Sequence, residues 1–181
     1  MVVGVSGSGK TTVARRISVR TGLPHIELDA LFHGPGWVPR PTFVADVERA
    51  IEADAWVVDG NYSDVREQVW ARADTVVWLD LPRWLSQWQV ITRTAWRATR
   101  GTHLWNGNRE RWRNIADADH PIRWSWRKHP SYRDRYGSRF EAATGSRHGG
   151  VAPDGRRYVR LTGRRAVTAW LASLPAPDTA E

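Results

Sequence analysis

The sequence predicts a three-layer α/β fold around a parallel sheet, on three observations. Strand-like and helix-like signals alternate along the chain. The runs Trp56-Val57-Val58-Asp59 and Thr75-Val76-Val77-Trp78-Leu79 are almost unbroken in apolar side chains, the pattern of strands covered on both faces. The first apolar run leads into a glycine-rich octet that opens a helix-like segment, and in such sheets ligands sit at the carboxyl ends of the strands.

Taken in order, residues 1–5 read as the first strand, and Lys10 to about Thr21 as a helix with Val13, Ala14 and Ile17 on one face, closed by Gly22. His25 to Leu28 reads as a short second strand ending at Asp29. Pro35, Gly36, Pro39 and Pro41 mark an irregular loop before a helix from about Thr42, a plausible N-cap, to Ala53. A helix of roughly ten residues separates the third and fourth strands. Residues 83–98 read as a long helix with Trp84, Trp88, Ile91 and Ala95 at helical spacing. Tyr158 to Leu161 is the expected fifth strand, a last helix runs around Arg164 to Leu174, and residues 176–181 are expected to be a disordered tail after a single domain over 1–175.

The octet Gly4-Val5-Ser6-Gly7-Ser8-Gly9-Lys10-Thr11 fits the phosphate-binding pattern G-x-x-x-x-G-K-[ST] between a strand and a helix. Glycines allow a tight bend that aims successive N–H groups inward, and the helix adds the positive end of its dipole. Gly4, Ser6, Gly7, Ser8, Gly9, Lys10, Thr11 and Thr12 are therefore the expected nucleotide-binding residues. Lys10 is expected on the β- and γ-phosphates of ATP, and the Thr11 hydroxyl on Mg²⁺.

Composition narrows the classes. With 181 residues the chain is long enough for one full core, and with no cysteine it has neither disulfides nor thiolate metal sites. It lacks an apolar run of spanning length and a leader pattern, so a soluble, cytoplasmic protein with no membrane partner is expected. The net charge of +8 is uneven. Residues 1–83 hold 9 Lys+Arg against 11 Asp+Glu, and residues 84–181 hold 18 against 8. All basic residues but Lys10 and Lys128 are arginines, whose planar fork suits phosphate oxygens of a nucleotide or of a nucleic acid.

The order of these segments resembles the adenylate-kinase-like P-loop kinases over nearly the whole chain. Leu28-Asp29-Ala30-Leu31, Gly36-Trp37, Asp59-Gly60-Asn61-Tyr62-Ser63 and Asp80-Leu81-Pro82-Arg83-Trp84 look most like the small kinases labelled DNA topology modulation proteins. The resemblance implies a P-loop NTPase fold of the nucleoside or nucleotide kinase type, with an acceptor-binding segment over about 29–54 and an Arg-rich lid over about 99–123. It implies that Asp59 helps hold Mg²⁺ as a Walker B carboxylate. Asp29 either meets an acceptor hydroxyl and takes its proton or caps the turn at Ala30, and the first role tilts the acceptor towards a hydroxyl. Arg66 either contacts an anionic group of the acceptor or makes a surface salt bridge.

Arg93, Arg97 and Arg100 share one helix face and, with Lys10 and Asp29, form the expected catalytic set. Arg109, Arg111 and Arg113 follow the loop around Gly101 and Gly107 as lid arginines that close over a triphosphate. His25 and His33 are read as ordinary polar residues. Of twelve tryptophans, Trp56, Trp78 and Trp170 are expected in the core, whereas Trp105, Trp112, Trp124 and Trp126 interleave with arginines. That interleaving suits either a lid packing on its helices or single-stranded nucleic acid. The expected activity is transfer of the γ-phosphoryl group of ATP to a small-molecule acceptor. A nucleoside monophosphate kinase and a nucleotide-gated nucleic-acid-binding protein are the alternatives.

Overall fold

A computed structural model of the chain describes residues 1–100, 105–108 and 121–175. Strands β1 (Val2–Gly4), β2 (His25–Glu27), β3 (Val57–Asp59), β4 (Thr75–Leu79), β5 (Gly149–Val151) and β6 (Arg157–Leu161) form one sheet, in the order β2-β3-β1-β4-β6-β5. Among the described residues the pairing is parallel except between β5 and β6. Helices α1 (Lys10–Thr21), α2 (Leu28–Phe32), α3 (Phe43–Ile51), α4 (Ser63–Arg72), α5 (Arg83–Arg100), α6 (Pro121–Thr144) and α7 (Arg164–Ser173) flank it. The result is the expected α/β architecture with a mostly parallel sheet.

Alternation along each strand divides the core between the two faces. On β4, Val76 and Trp78 join a cluster rich in aromatics, with Phe43, Trp70, Tyr136, Phe140 and Tyr158. Val77 and Leu79 point the other way, into an aliphatic cluster with Val13, Ala14, Ile17 and Leu171 from α1 and α7. The face read from the sequence for α1 is the buried one. Trp78 is buried as expected, Trp56 and Trp170 are half-buried against these clusters, and Trp70 is a core residue the reading passed over.

Three elements differ from expectation. The antiparallel strand β5 was not foreseen, because Gly149-Gly150 carries no side-chain pattern to read. At Gly149, with φ +99°, a Cβ would lie 2.2 Å from the Tyr158 carbonyl oxygen, so the close pairing with β6 itself requires glycine. The second strand ends at Glu27 rather than Asp29. Asp29 lies in the first turn of α2, whose N-cap is Glu27, so it does not cap the turn at Ala30.

The 24-residue α6 was also unread, and Pro130 within it explains why. A proline inside a helix removes the N–H that would bond the carbonyl four residues back. Here that carbonyl, on Trp126, accepts from Arg83 Nη2 at 2.7 Å, and the same guanidinium stacks on the Trp126 ring 3.6 Å from its centroid. Arg83 thus supplies the missing donor and ties α5 to α6. Asp80, just past β4, is a second tie: buried, it accepts from Arg160 of β6 at 2.6 and 3.0 Å and pairs with Arg133 of α6 at 3.3 Å.

Thr42 is the residue before α3, as expected, but its hydroxyl donates to Asp46 at 2.8 Å rather than capping a backbone N–H. No helix of the described residues is long and apolar enough to cross a membrane. The expected tail, residues 176–181, lies outside the described residues.

Candidate functional site

The loop between β1 and α1 bends at Gly7 and Gly9, with φ of +79° and +87°, and the Ser8 N–H closes it onto the Val5 carbonyl at 3.1 Å. At Gly7 a Cβ would lie 2.3 Å from Val90 Cγ2 and 2.4 Å from the Ser86 carbonyl oxygen, so α5 rests directly on the loop. The N-cap of α1 is Gly9, which has no side chain to bond the first-turn N–H groups. Those donors and the positive end of the helix dipole remain for an anion. The Ser8 hydroxyl is buried in the loop without a hydrogen-bond partner.

Lys10 Nζ donates to the Val5 carbonyl at 3.1 Å, folded back onto its own loop. Burial pushes its pKa down; the Asp29 and Asp59 carboxylates act against that shift and the Arg93 guanidinium adds to it. Lys10 thus feels charges carried by three other elements, Asp29 of α2, Asp59 of β3 and Arg93 of α5. Thr11 Oγ1 donates to Asp59 Oδ2 at 2.6 Å, and His25 Nε2 lies 2.8 Å from Asp59 Oδ1. Parallel pairing of β2 with β3 sets His25 beside Val57 and brings its ring to that carboxylate, a role in the site that sequence reading had not given it.

The segment after β3 crosslinks the cleft. Asn61 Nδ2 donates to the Gly4 carbonyl, and Tyr136 of α6 donates to Asn61 Oδ1 at 2.9 Å. Tyr62 donates to Asp29 Oδ1 at 2.7 Å, with His33 Nε2 3.4 Å from the same hydroxyl. Burial first, and then the Asp29 charge, push the Tyr62 pKa far up, so the phenol keeps its proton and fixes one carboxylate oxygen. Asp29 itself lines the cleft.

The cleft has a volume of about 510 Å³. Ser6 and Lys10 line it from the loop, Asp29 from α2, and residues 60–63 with Arg66 from the segment after β3 and α4. Lys128, Ser131, Tyr132 and Arg135 line it from α6. Arg66 lines the cleft and donates to the Asn61 carbonyl at 3.2 Å. Thr12 is exposed on α1 and is not among the lining residues.

The α6 residues were missed. Lys128, Tyr132 and Arg135 recur at a spacing of four and three, a helical period that was legible but interrupted by Pro130. The side chains of Arg97 and Arg100, the lid arginines Arg109, Arg111 and Arg113, and most of the expected lid over 99–123 lie outside the described residues. Of that segment, residues 105–108 dock on the loop around Gly34 and Trp37. Asn108 accepts from the Trp37 N–H at 3.0 Å and donates to the Gly34 carbonyl at 2.8 Å.

A metal held by protein groups alone needs several converging ligands, and the described residues contain no cluster of three or more His, Cys, Asp or Glu that could hold one. The adjoining Thr11 hydroxyl and Asp59 carboxylate instead fit an ion such as Mg²⁺, which takes one or two protein oxygens and completes its shell with phosphates and water. No protein-family model matches this chain, and no match is found among curated proteins.

Proposed function

We propose that the chain is a phosphotransferase of the adenylate-kinase-like P-loop class that moves the γ-phosphoryl group of ATP to a hydroxyl of a small acceptor. The observation that carries this reading is that the glycine loop, Lys10 and Asp29 line one cleft, with the bonded Thr11–Asp59 pair next to Lys10. Loop amides and Lys10 bind the phosphates, Lys10 exchanging the Val5 carbonyl for phosphate oxygens. Thr11 and Asp59 would hold Mg²⁺, which when bound neutralises charge on those oxygens.

Tyr62 holds Asp29 so that Oδ2 meets the acceptor hydroxyl. As the acceptor oxygen bonds to the γ-phosphorus, Asp29 takes the hydroxyl proton and the bond from that phosphorus to the β–γ bridging oxygen breaks. ADP leaves with that oxygen, and Asp29 returns the proton to water. Arg93, near Lys10, faces the charge spread over the transferred group. The test is ADP formation from ATP–Mg²⁺ in the presence of pooled nucleosides, nucleotides, sugars and hydroxy acids. No ATP binding by calorimetry, together with no acceptor-dependent ADP, refutes the reading.

A second reading, binding of single-stranded nucleic acid under nucleotide control, draws on the exposed Trp84, Trp88, Trp96 and Trp126. It requires an affinity for oligonucleotides that falls steeply with salt and changes with nucleotide.

A further inference from the structure

The α6 side of the cleft carries cations that the fold does not use. Two other arginines of this helix are paired, Arg133 with Asp80 and Arg139 with Glu67, as is Arg147 beyond its end with Asp134 and Glu141. Lys128 and Arg135, which face the cleft, pair with no described carboxylate, and neither does Arg66, whose Nε is buried without a hydrogen-bond partner. Tyr132 lies among them, with the Arg135 guanidinium 5.4 Å from its ring centroid, and the Ser131 hydroxyl adds a donor. Asp29, the carboxylate lining the same cleft, is already engaged by Tyr62.

Three like charges around one opening repel each other, and an anion bound between them relieves that repulsion. Guanidinium and ammonium donors beside hydroxyls match the oxygens of a phosphate monoester or a carboxylate. They come from α4 and α6, whereas the triphosphate has its own donors in the loop and α1.

From this juxtaposition we infer that the acceptor carries a fixed anionic group, a phosphate monoester or a carboxylate, gripped by Arg66, Lys128 and Arg135, with its reacting hydroxyl directed at Asp29. The inference rests on the kinase reading for the role of that ligand. The anion is a handle that positions a separate nucleophile. Neutral polyols and sugars are then poor acceptors, and acidic or phosphorylated hydroxy compounds good ones.

The experiment is titration calorimetry on the full chain, with and without saturating non-hydrolysable ATP analogue and Mg²⁺, using matched probes: ribose against ribose 5-phosphate, and glycerol against glycerate. The charged member of at least one pair binds at least ~10-fold more tightly, and the preferred pair tells phosphate from carboxylate. Lys128→Gln and Arg135→Gln each weaken that binding by ~10-fold, the scale of losing one charged hydrogen bond. Arg165→Gln, an exposed cation on α7, leaves it unchanged.

Equal binding of charged and neutral probes overturns the inference, as does anion binding indifferent to both α6 substitutions. A loss confined to the ATP analogue in those variants also overturns it, by assigning the α6 cations to the donor. Failure of the analogue to bind the wild-type chain refutes the kinase reading instead, and the charged-to-neutral ratio and its α6 dependence still decide the anion site.

Discussion

The side of the cleft formed by the loop, the start of α1, α2 and the segment after β3 differs from the wall built by α6 in how its polar groups are occupied. On the first, Lys10, Thr11, Asp59, Asn61 and Asp29 each have an internal partner. On the second, Lys128 and Arg135 face the cleft with no described carboxylate beside them. A wall bonded in advance holds its groups in place, so little ordering remains when a ligand arrives. A wall of unpaired cations gains its partner only from the ligand. On the proposed kinase reading this is a division of labour: fixed geometry for the transfer, and unspent charge for the acceptor.

The largest expected effect comes from breaking the bonded wall at Lys10. Lys10→Ala lowers transfer by about 10²–10³-fold, the scale of removing one well-placed donor from a developing charge. Unchanged ADP formation and unchanged ATP affinity would place the loop outside the chemistry. Asp29→Asn comes next, with acceptor-dependent turnover falling by about 10²-fold while calorimetric ATP affinity is retained. If that variant loses ATP instead, Asp29 belongs to the donor and the argument for a hydroxyl acceptor goes with it.

Tyr62→Phe sharpens the comparison by freeing Asp29 without removing it. One hydrogen bond to a charged group is worth about a tenfold change, so kcat is expected to drop by roughly that factor while the carboxylate remains. A rate equal to wild type would mean that packing alone orients Asp29.

The α6 wall responds through stability. Arg83→Ala leaves the Trp126 carbonyl without a donor and removes the stack, and chemical denaturation should show a loss of about 1–2 kcal/mol. The smallest effect is expected for Tyr136→Phe, which deletes the bond to Asn61 that joins the two walls. It should cost about 0.5–1.5 kcal/mol, because the ring, stacked near Trp70, is retained.

The same division marks what could be read from the sequence. The loop and the parallel strands have short-range signatures, so Lys10, Thr11, the face of α1 and the strands around Asp59 and Trp78 were legible residue by residue. The contacts that finish the site were not. His25 reaches Asp59 because β2 and β3 align in register, and Tyr136 reaches Asn61 across 75 positions. Such pairings depend on sheet order, which no local pattern encodes. Helix α6 was hidden for a different reason: Pro130 argues against a helix unless its stranded carbonyl finds a donor, and that donor, Arg83, lies 43 residues away.

The central place of β1 has a consequence for how the chain is made. Val2 pairs with Asp59 on one side and Val77 on the other, so the first strand leaves the ribosome well before either neighbour exists. At about 5–20 residues per second, roughly 3–11 s pass before Asp59 is added. Through that interval Val2 and Val3, fully buried in the finished sheet, have no parallel partner, and the glycine loop has neither β3 nor α5 to hold its shape. Nascent chains stalled before Asp59 and chains stalled long enough after Leu79 for β3 and β4 both to have cleared the exit tunnel should therefore differ sharply in protease resistance, the shorter ones being cut around β1.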